Sequence, residues 1–111
     1  MEPRTRYQDA HLTVDFAQKS ATLDSQLLPL TRKEYDLLAL LVSYAGMIVP
    51  RAEILMHVWG YGEGIRTRTL DVHIRHLRRK LGPYSGVYIE TVFGVGHRFQ
   101  PYRPMLAVTA A

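Results

Sequence analysis

The sequence contains no cysteine and no apolar run long enough to cross a lipid bilayer. The lack of cysteine excludes disulfides, thiolate metal sites and thiol nucleophiles, and it fits a reducing cellular interior. A membrane-spanning helix needs roughly 20 consecutive apolar residues, and residues 1–11 lack the apolar stretch of a secretion signal. With 111 residues, the chain is long enough for one hydrophobic core and too short for two ordinary domains. We therefore expect a single globular domain without a membrane segment.

Acidic residues are scarce in the second part of the chain. Residues 1–65 carry six Lys or Arg and eight Asp or Glu, a net charge of −2, whereas residues 66–111 carry eight basic and two acidic residues, a net charge of +6. This asymmetry predicts an anionic partner that is met on one side of the domain. Nucleic acid is the most common such partner, and a membrane surface would also require an exposed apolar face beside the charge.

The first part of the chain predicts a small antiparallel sheet. Apolar and polar residues alternate over residues 11–16, which is typical of a half-buried strand. Two more short β-rich segments follow at residues 20–24 and 26–30, which gives about three strands.

The ends of the chain show no regular pattern. We expect residues 1–10 to be a flexible lead-in, residues 11–100 to form the domain, and residues 101–111 to be a loose tail. Pro101 and Pro104 disfavour a further helix or strand in that tail.

Two helices are predicted after the sheet. Thr31 and Glu34 have the spacing of a capping box at the start of the first helix, and Gly46 is suited to end it. The second helix is expected to begin around Pro50, whose missing N–H costs little in a first turn. It is expected to end at Trp59, before a loop rich in glycine.

A third predicted helix, over residues 66–82, is both amphipathic and strongly basic. Six Lys or Arg lie within residues 66–80, with Asp71 as the only acid among them. Its apolar residues recur at the 4-3-4 spacing of one buried helix face, and they are Leu70, Ile74, Leu77 and Leu81. The Gly82-Pro83 pair is expected to end this helix.

The opposite face of the third helix suits the major groove of duplex DNA. An α-helix fits that groove, arginine can form paired hydrogen bonds with guanine or phosphate, and Val72 can contact a thymine methyl group. A merely solvated helix face would mix both charge signs. This face carries Arg68, Val72, Arg75, His76 and Arg79.

A β-hairpin is predicted after the third helix. Two β-rich runs flank Gly94 and Gly96, and His97, Arg98 and Arg103 are expected to add positive charge nearby. A basic hairpin beside a groove-binding helix can contact phosphates or the minor groove.

Four motifs together resemble the winged-helix output domain of OmpR/PhoB-type response regulators: LTRKEYDLLALLV, HVWG, RTLDVHIRHLRRKLG and IETVFGVGHRF. The resemblance covers roughly residues 12–99. It implies an α+β fold in which a four-stranded N-terminal antiparallel sheet packs on a three-helix bundle and a C-terminal hairpin forms the wing. It also implies a third helix in the major groove and a wing in the minor groove.

The resemblance, together with the charge of the third helix, points to a set of DNA-binding residues. On and before the helix they are Arg66, Arg68, Val72, His73, Arg75, His76, Arg78 and Arg79, and in the wing they are Thr91, Gly94, His97 and Arg98. Phe93 stands where the wing often has arginine, and His97 stands where it often has tyrosine. The loop implied to contact RNA polymerase contains Tyr61, Gly62, Glu63, Gly64 and Ile65.

The resemblance also implies partners and a location. Domains of this family bind direct repeats of duplex DNA as weak head-to-tail dimers, contact RNA polymerase, and follow a receiver domain that is absent from this chain. A sensor kinase acts on the receiver, so its influence here is indirect. The expected location is the bacterial cytoplasm, and neither a cofactor nor a metal is expected.

Three other functions are weighed against DNA binding. The sequence has no G-x-S-x-G, no nucleotide-binding fingerprint and no third ligand to join His73 and His76 at a metal, so an enzyme is not expected. An RNA-binding module would display stacking aromatic residues on a sheet, and few are present. A protein-interaction domain that uses Trp59, Tyr61 and the glycine-rich loop is the third alternative.

Overall fold

The computed structural model describes residues 5–103, in which two antiparallel sheets flank a helical bundle. The N-terminal elements are β1 (Arg6–Gln8), β2 (Leu12–Asp15), β3 (Ser20–Leu23), β4 (Gln26–Leu27) and α1 (Arg32–Ser43). The remaining elements are β5 (Ile48–Pro50), α2 (Arg51–Trp59), α3 (Thr69–Leu81), α4 (Ser85–Tyr88), β6 (Ile89–Val92) and β7 (Gly96–Phe99). This is the α+β architecture that the sequence predicts.

The N-terminal sheet has four strands in the order β1-β2-β3-β4. Leu12, Val14 and Ala21 are buried on its inner face. The prediction of a flexible lead-in is wrong for residues 6–8, because Tyr7 is buried and pairs with Val14 across β1 and β2. Residues 1–4 of that segment lie outside the described part of the chain.

Helix α1 begins with the predicted capping box. The Thr31 hydroxyl accepts a hydrogen bond from the Glu34 N–H at 3.2 Å, and the Thr31 N–H donates to Glu34 Oε1 at 2.9 Å. The helix ends at Ser43, before Gly46, which has a φ of +85°. Its inner face consists of Leu37, Leu38, Leu41 and Val42 and packs against both α2 and α3.

The second sheet has the order β5-β7-β6, and β6 and β7 form the predicted hairpin. Strand β5 is not evident in the sequence, because its three residues are stabilised by pairing with the distant β7. Val87 and Tyr88 precede the hairpin and belong to the short helix α4.

The C-terminal segment is attached to the N-terminal sheet. Residues 101–103 form no helix or strand, but the Tyr102 side chain packs against the core and its N–H donates to Asp9 Oδ2 at 3.3 Å. The same carboxylate accepts hydrogen bonds from the hydroxyls of Tyr7 and Tyr88. The prediction of a loose tail is therefore wrong for Tyr102, and residues 104–111 lie outside the described residues.

Candidate nucleic-acid interface

Helix α3 is anchored along one side and open along the other. Its apolar stripe is fully buried, with Leu70, Leu77 and Leu81 at 0% exposure and Ile74 at 2%. This confirms the 4-3-4 pattern and fixes the rotation of the helix about its axis. The opposite face must therefore point away from the bundle.

We call the row of side chains on that open face the basic ridge, and it consists of Arg68, Val72, Arg75 and Arg79. The three arginines are exposed and Val72 is partly buried. Within residues 5–103, the side chains of Arg66 and of the ridge arginines form no hydrogen bond or ion pair with another residue. Their guanidinium groups are therefore available to an external anion.

Asp71, the one acidic residue of α3, forms an ion pair with a residue outside that helix. Arg51, at the start of α2, binds the Asp71 carboxylate through Nη1 at 3.0 Å and Nη2 at 3.3 Å. Its Nη2 also donates to the carbonyl of Thr67 at 2.7 Å. This paired contact holds the loop and the first turn of α3 against α2, and it leaves the positive charge of the ridge uncompensated.

On one margin of α3, basic residues are engaged by Glu34 of α1. Lys80 Nζ lies 2.5 Å from Glu34 Oε1, and His76 Nδ1 lies 3.7 Å from Oε2. Burial opposes ionisation of the carboxyl, but hydrogen bonds from Lys80 and the Thr31 N–H outweigh it and hold the pKa of Glu34 below its ordinary value. His76 therefore lies at the edge of the exposed face and contacts a carboxylate of the protein itself.

His73 is a packed residue in this fold. Its Nδ1 lies 2.7 Å from the Thr69 carbonyl, and its ring meets the Trp59 ring edge-on at 4.9 Å. The side chain thus turns toward α2 and away from the basic ridge. Its predicted contact with DNA remains a prediction, but this geometry favours a structural role.

The other margin of α3 holds the hairpin through a small polar cluster. Arg78 Nη2 donates to the Ile89 carbonyl at 3.1 Å and to the Thr91 hydroxyl at 2.8 Å. That hydroxyl also lies 3.2 Å from His97 Nδ1. These residues, predicted as DNA contacts, join α3 to the β6–β7 hairpin and fix the position of one relative to the other.

The hairpin carries less free positive charge than the sequence suggests. His97 is only 6% exposed, and burial together with repulsion from Arg78 lowers its pKa, so the ring is neutral at pH 7. Arg98 donates to Glu90 Oε1 from Nε at 2.9 Å and from Nη2 at 2.7 Å, which lowers the pKa of Glu90. The prediction that His97 adds positive charge is therefore wrong.

The two glycines of the hairpin have different roles. Gly94 adopts a φ of +78° in the turn, as expected for a glycine at a tip. Gly96 is buried in β7, where a Cβ atom would lie 2.0 Å from the Val49 carbonyl oxygen. The lack of a side chain at Gly96 therefore permits the close pairing of β7 with β5.

The loop between α2 and α3 projects from the bundle. Gly60 ends α2 in the left-handed conformation, with a φ of +75°. Tyr61 packs against the core, whereas Glu63 and Ile65 are exposed, Ile65 at 50%. An exposed loop held at both ends is compatible with a protein contact, and its binding to polymerase stays a prediction.

The burial of His97 predicts that stability depends on pH. Since its pKa is lower in the folded state, only the unfolded state readily takes up the proton, and stability should fall as the pH decreases from 7 to 5. The slope contributed by one such group is at most about 1.4 kcal/mol per pH unit. Urea unfolding of the wild type and of His97→Gln over this range measures it.

The His97→Gln variant is the control, because an amide can retain the hydrogen bond to Thr91. The other four histidines are common to both proteins, so the difference in slope isolates His97. Two parallel curves between pH 7 and 5 would contradict a buried, neutral His97.

Neither a cluster of metal ligands nor a membrane-spanning helix is found among the described residues. Over residues 5–103, no three His, Cys, Asp or Glu side chains come together as metal ligands. The same part of the chain has no helix with the length and apolarity required to cross a bilayer.

Comparison with known protein sequences identifies the family to which this chain is similar. Residues 25–99 match the family described as "Transcriptional regulatory protein, C terminal". The chain is 42% identical over 91 residues to the transcriptional regulatory protein VxrB of Vibrio cholerae, which covers 82% of this chain and 36% of VxrB. It is 44% identical over 87 residues to the response regulator ArlR of Staphylococcus aureus, covering 78% and 40%. The chain thus spans less than half the length of these relatives.

Solved structures share the fold. The DNA-binding domain of CpxR from E. coli has a TM-score of 0.80 and 27% identity, with 90% of this chain and all of that chain covered. The DNA-binding domain of Klebsiella pneumoniae RstA, in complex with the RstA box, has a TM-score of 0.78 and 29% identity, with 89% of this chain and all of that chain covered. The chain therefore belongs to the family of C-terminal domains of transcriptional regulatory proteins, the winged-helix output domains of OmpR/PhoB-type response regulators.

Proposed function

We propose that this domain recognises a specific sequence of duplex DNA, with α3 in the major groove and the β6–β7 hairpin on the adjacent backbone or minor groove. The observation that carries the proposal is the basic ridge, whose arginines are exposed and, within residues 5–103, unpaired, on a helix whose other side is buried. Membership of the family makes the chain a regulator's DNA-binding domain and not an enzyme. The RstA domain, which resembles it, forms a complex with its own DNA box.

The residues of the basic ridge are proposed to contact different parts of the duplex. Arg75 lies on the side of the ridge nearer the hairpin and can form a paired hydrogen bond with a guanine, whereas Val72 can contact a thymine methyl group. Arg79 and Arg68 lie nearer the ends of the helix and suit phosphate oxygens on either side of the groove. Arg78 supports this arrangement indirectly, by holding the hairpin beside α3.

The proposal extends to partners of the intact regulator. We expect two domains to bind direct repeats head to tail as a weak dimer, and the loop from Tyr61 to Ile65 to contact RNA polymerase. We also expect a receiver domain, which is not in this chain, to precede the output domain and to be phosphorylated through a sensor kinase. The expected location is the bacterial cytoplasm.

Selection of bound duplexes from a random pool, followed by binding assays of two variants, tests the proposal. Arg75→Ala should weaken binding to the selected site by about 1–3 kcal/mol and relax the preference at one base pair. Arg79→Ala should weaken binding to all duplexes similarly and reduce the slope of log K against log salt by about one unit. Equal affinities for wild type and both variants at about 150 mM salt would contradict the assignment of α3.

Competition with structured RNA separates the proposal from the main alternative. The narrow major groove of an RNA duplex does not admit α3, so unlabelled RNA at fixed salt should displace the selected DNA poorly. Gel shifts with one and two half-sites then test the repeat, because a second half-site should raise the affinity of each domain.

A further inference from the structure

The tip of the β6–β7 hairpin presents an aromatic side chain to solvent. Phe93 is 90% exposed, the most exposed large apolar residue in the described part of the chain, and Val95 on the other side of the turn is 48% exposed. Such exposure of a phenylalanine is unfavourable in water. Together with Val95, Phe93 gives the tip a small apolar surface, and burying this surface in a complex would be favourable.

The basic residues expected at the hairpin lie against other parts of the protein. Within residues 5–103, Arg98 is paired with Glu90, and His97 is buried behind Thr91. Arg103, the remaining basic residue expected near the wing, lies close to Tyr7 of the N-terminal sheet. The exposed side chains of the tip itself, Phe93 and Val95, are apolar, so the contacts that these two side chains make are apolar.

Phe93 faces the same cleft as the basic ridge. Thr91 in β6 is bonded to Arg78 of α3, and Phe93 lies in the turn directly after β6. Phe93 accordingly lines a cleft together with Arg75, Arg78 and Ile74. In the proposed function, the hairpin lies on the backbone or minor groove beside the major groove that α3 occupies, so the tip with Phe93 is the part that meets it.

We propose that Phe93 enters the minor groove of the bound duplex as an apolar wedge, packing on sugar rings and partly unstacking one base step. This rests on the proposed function and adds a specificity element to it. Apolar side chains at the tips of DNA-binding elements act in this way. Because pyrimidine–purine steps unstack most readily, the domain should prefer a TA or CA/TG step at the wing.

Salt-dependent binding of three variants to the selected site tests the wedge. Phe93→Ala should lose about tenfold in affinity with an unchanged salt slope, since an apolar contact releases no counterions. Phe93→Leu should lose less than Phe93→Ala, because it retains an apolar side chain. Phe93→Arg should recover affinity and steepen the slope by about one unit. Thermal unfolding should be unchanged in all three, as the side chain is 90% exposed.

Fluorescence of a base analogue measures directly whether Phe93 unstacks a base step. The base analogue 2-aminopurine, placed at each step of the wing-proximal minor groove, should brighten at one step with wild type and not with Phe93→Ala. If Phe93→Ala binds as wild type and the probe stays unchanged while Arg75→Ala still weakens binding, the wedge is wrong and the proposed function stands. A loss seen only with two half-sites would assign Phe93 to a contact between copies of the domain and would also overturn the wedge.

Discussion

Gly96→Ala is expected to lower the free energy of unfolding by at least about 3 kcal/mol, at the upper end of what overpacking costs. The added methyl would lie 2.0 Å from the Val49 carbonyl oxygen and 2.9 Å from the Pro50 Cα atom, both backbone atoms. Relief would require β5 to move away from β7, which would break the pairing that joins the hairpin to α2. Thermal unfolding should show a fall of roughly 12–24 °C in the midpoint.

Two other glycines provide matched controls for this experiment. Gly86 has open space around it and no positive φ, so Gly86→Ala should be neutral or slightly stabilising in α4. Gly94 also has open space but a φ of +78°, so Gly94→Ala should cost only about 1–2 kcal/mol. An effect of Gly96→Ala no larger than that of Gly94→Ala would show that the contact with β5 is not the constraint.

Glu34→Ala is expected to destabilise the domain by about 3 kcal/mol, because it removes the buried carboxylate of an ion pair with Lys80 and part of the cap of α1. The Glu34 side chain is 4% exposed, and its loss leaves Lys80 beside the Pro29 carbonyl without a counter-charge. The same change removes half of the capping box of α1. Denaturant unfolding at pH 7 measures the loss.

The pH dependence of the Glu34 variants separates the ion pair from the cap. Since the folded-state pKa of Glu34 is lowered, its contribution is present above its ordinary pKa near 4.5 and is lost as the pH falls through the folded value. Glu34→Gln keeps the hydrogen bond to Thr31 but not the charge, so it should be less stable than wild type at pH 7 and converge with it under acid conditions. No convergence would assign the effect of Glu34 to packing.

Much of the fold could be predicted from local patterns. The Thr31–Glu34 box and the four-residue apolar stripe of α3 lie within single helices, where spacing alone specifies the buried face. Strands β1 and β5 could not be predicted, because each has three residues and exists through pairing with another segment. Tyr102 shows the same limit, since its packing depends on Asp9 at the other end of the chain.

For the candidate site, the sequence predicted the basic helix but not which of its cations are bound by other parts of the protein. Arg75, Arg78 and Arg79 are the same residue type, yet among the described residues only Arg78 is held by the hairpin. His97 and Arg98 likewise count as basic in the sequence, whereas burial neutralises the first and Glu90 engages the second. Partners that are distant in the sequence decide these differences.

Local sequence is sufficient to predict a helix that buries an apolar stripe and carries an excess of arginine on its other face, because helical periodicity and charge count are properties of one segment. Which cations remain available to DNA depends on the folded chain, because ion pairs and burial are set by the segments that pack against that helix. The exposed phenylalanine at the tip of the wing became significant for the same reason, once the basic residues around it had acquired partners within the protein.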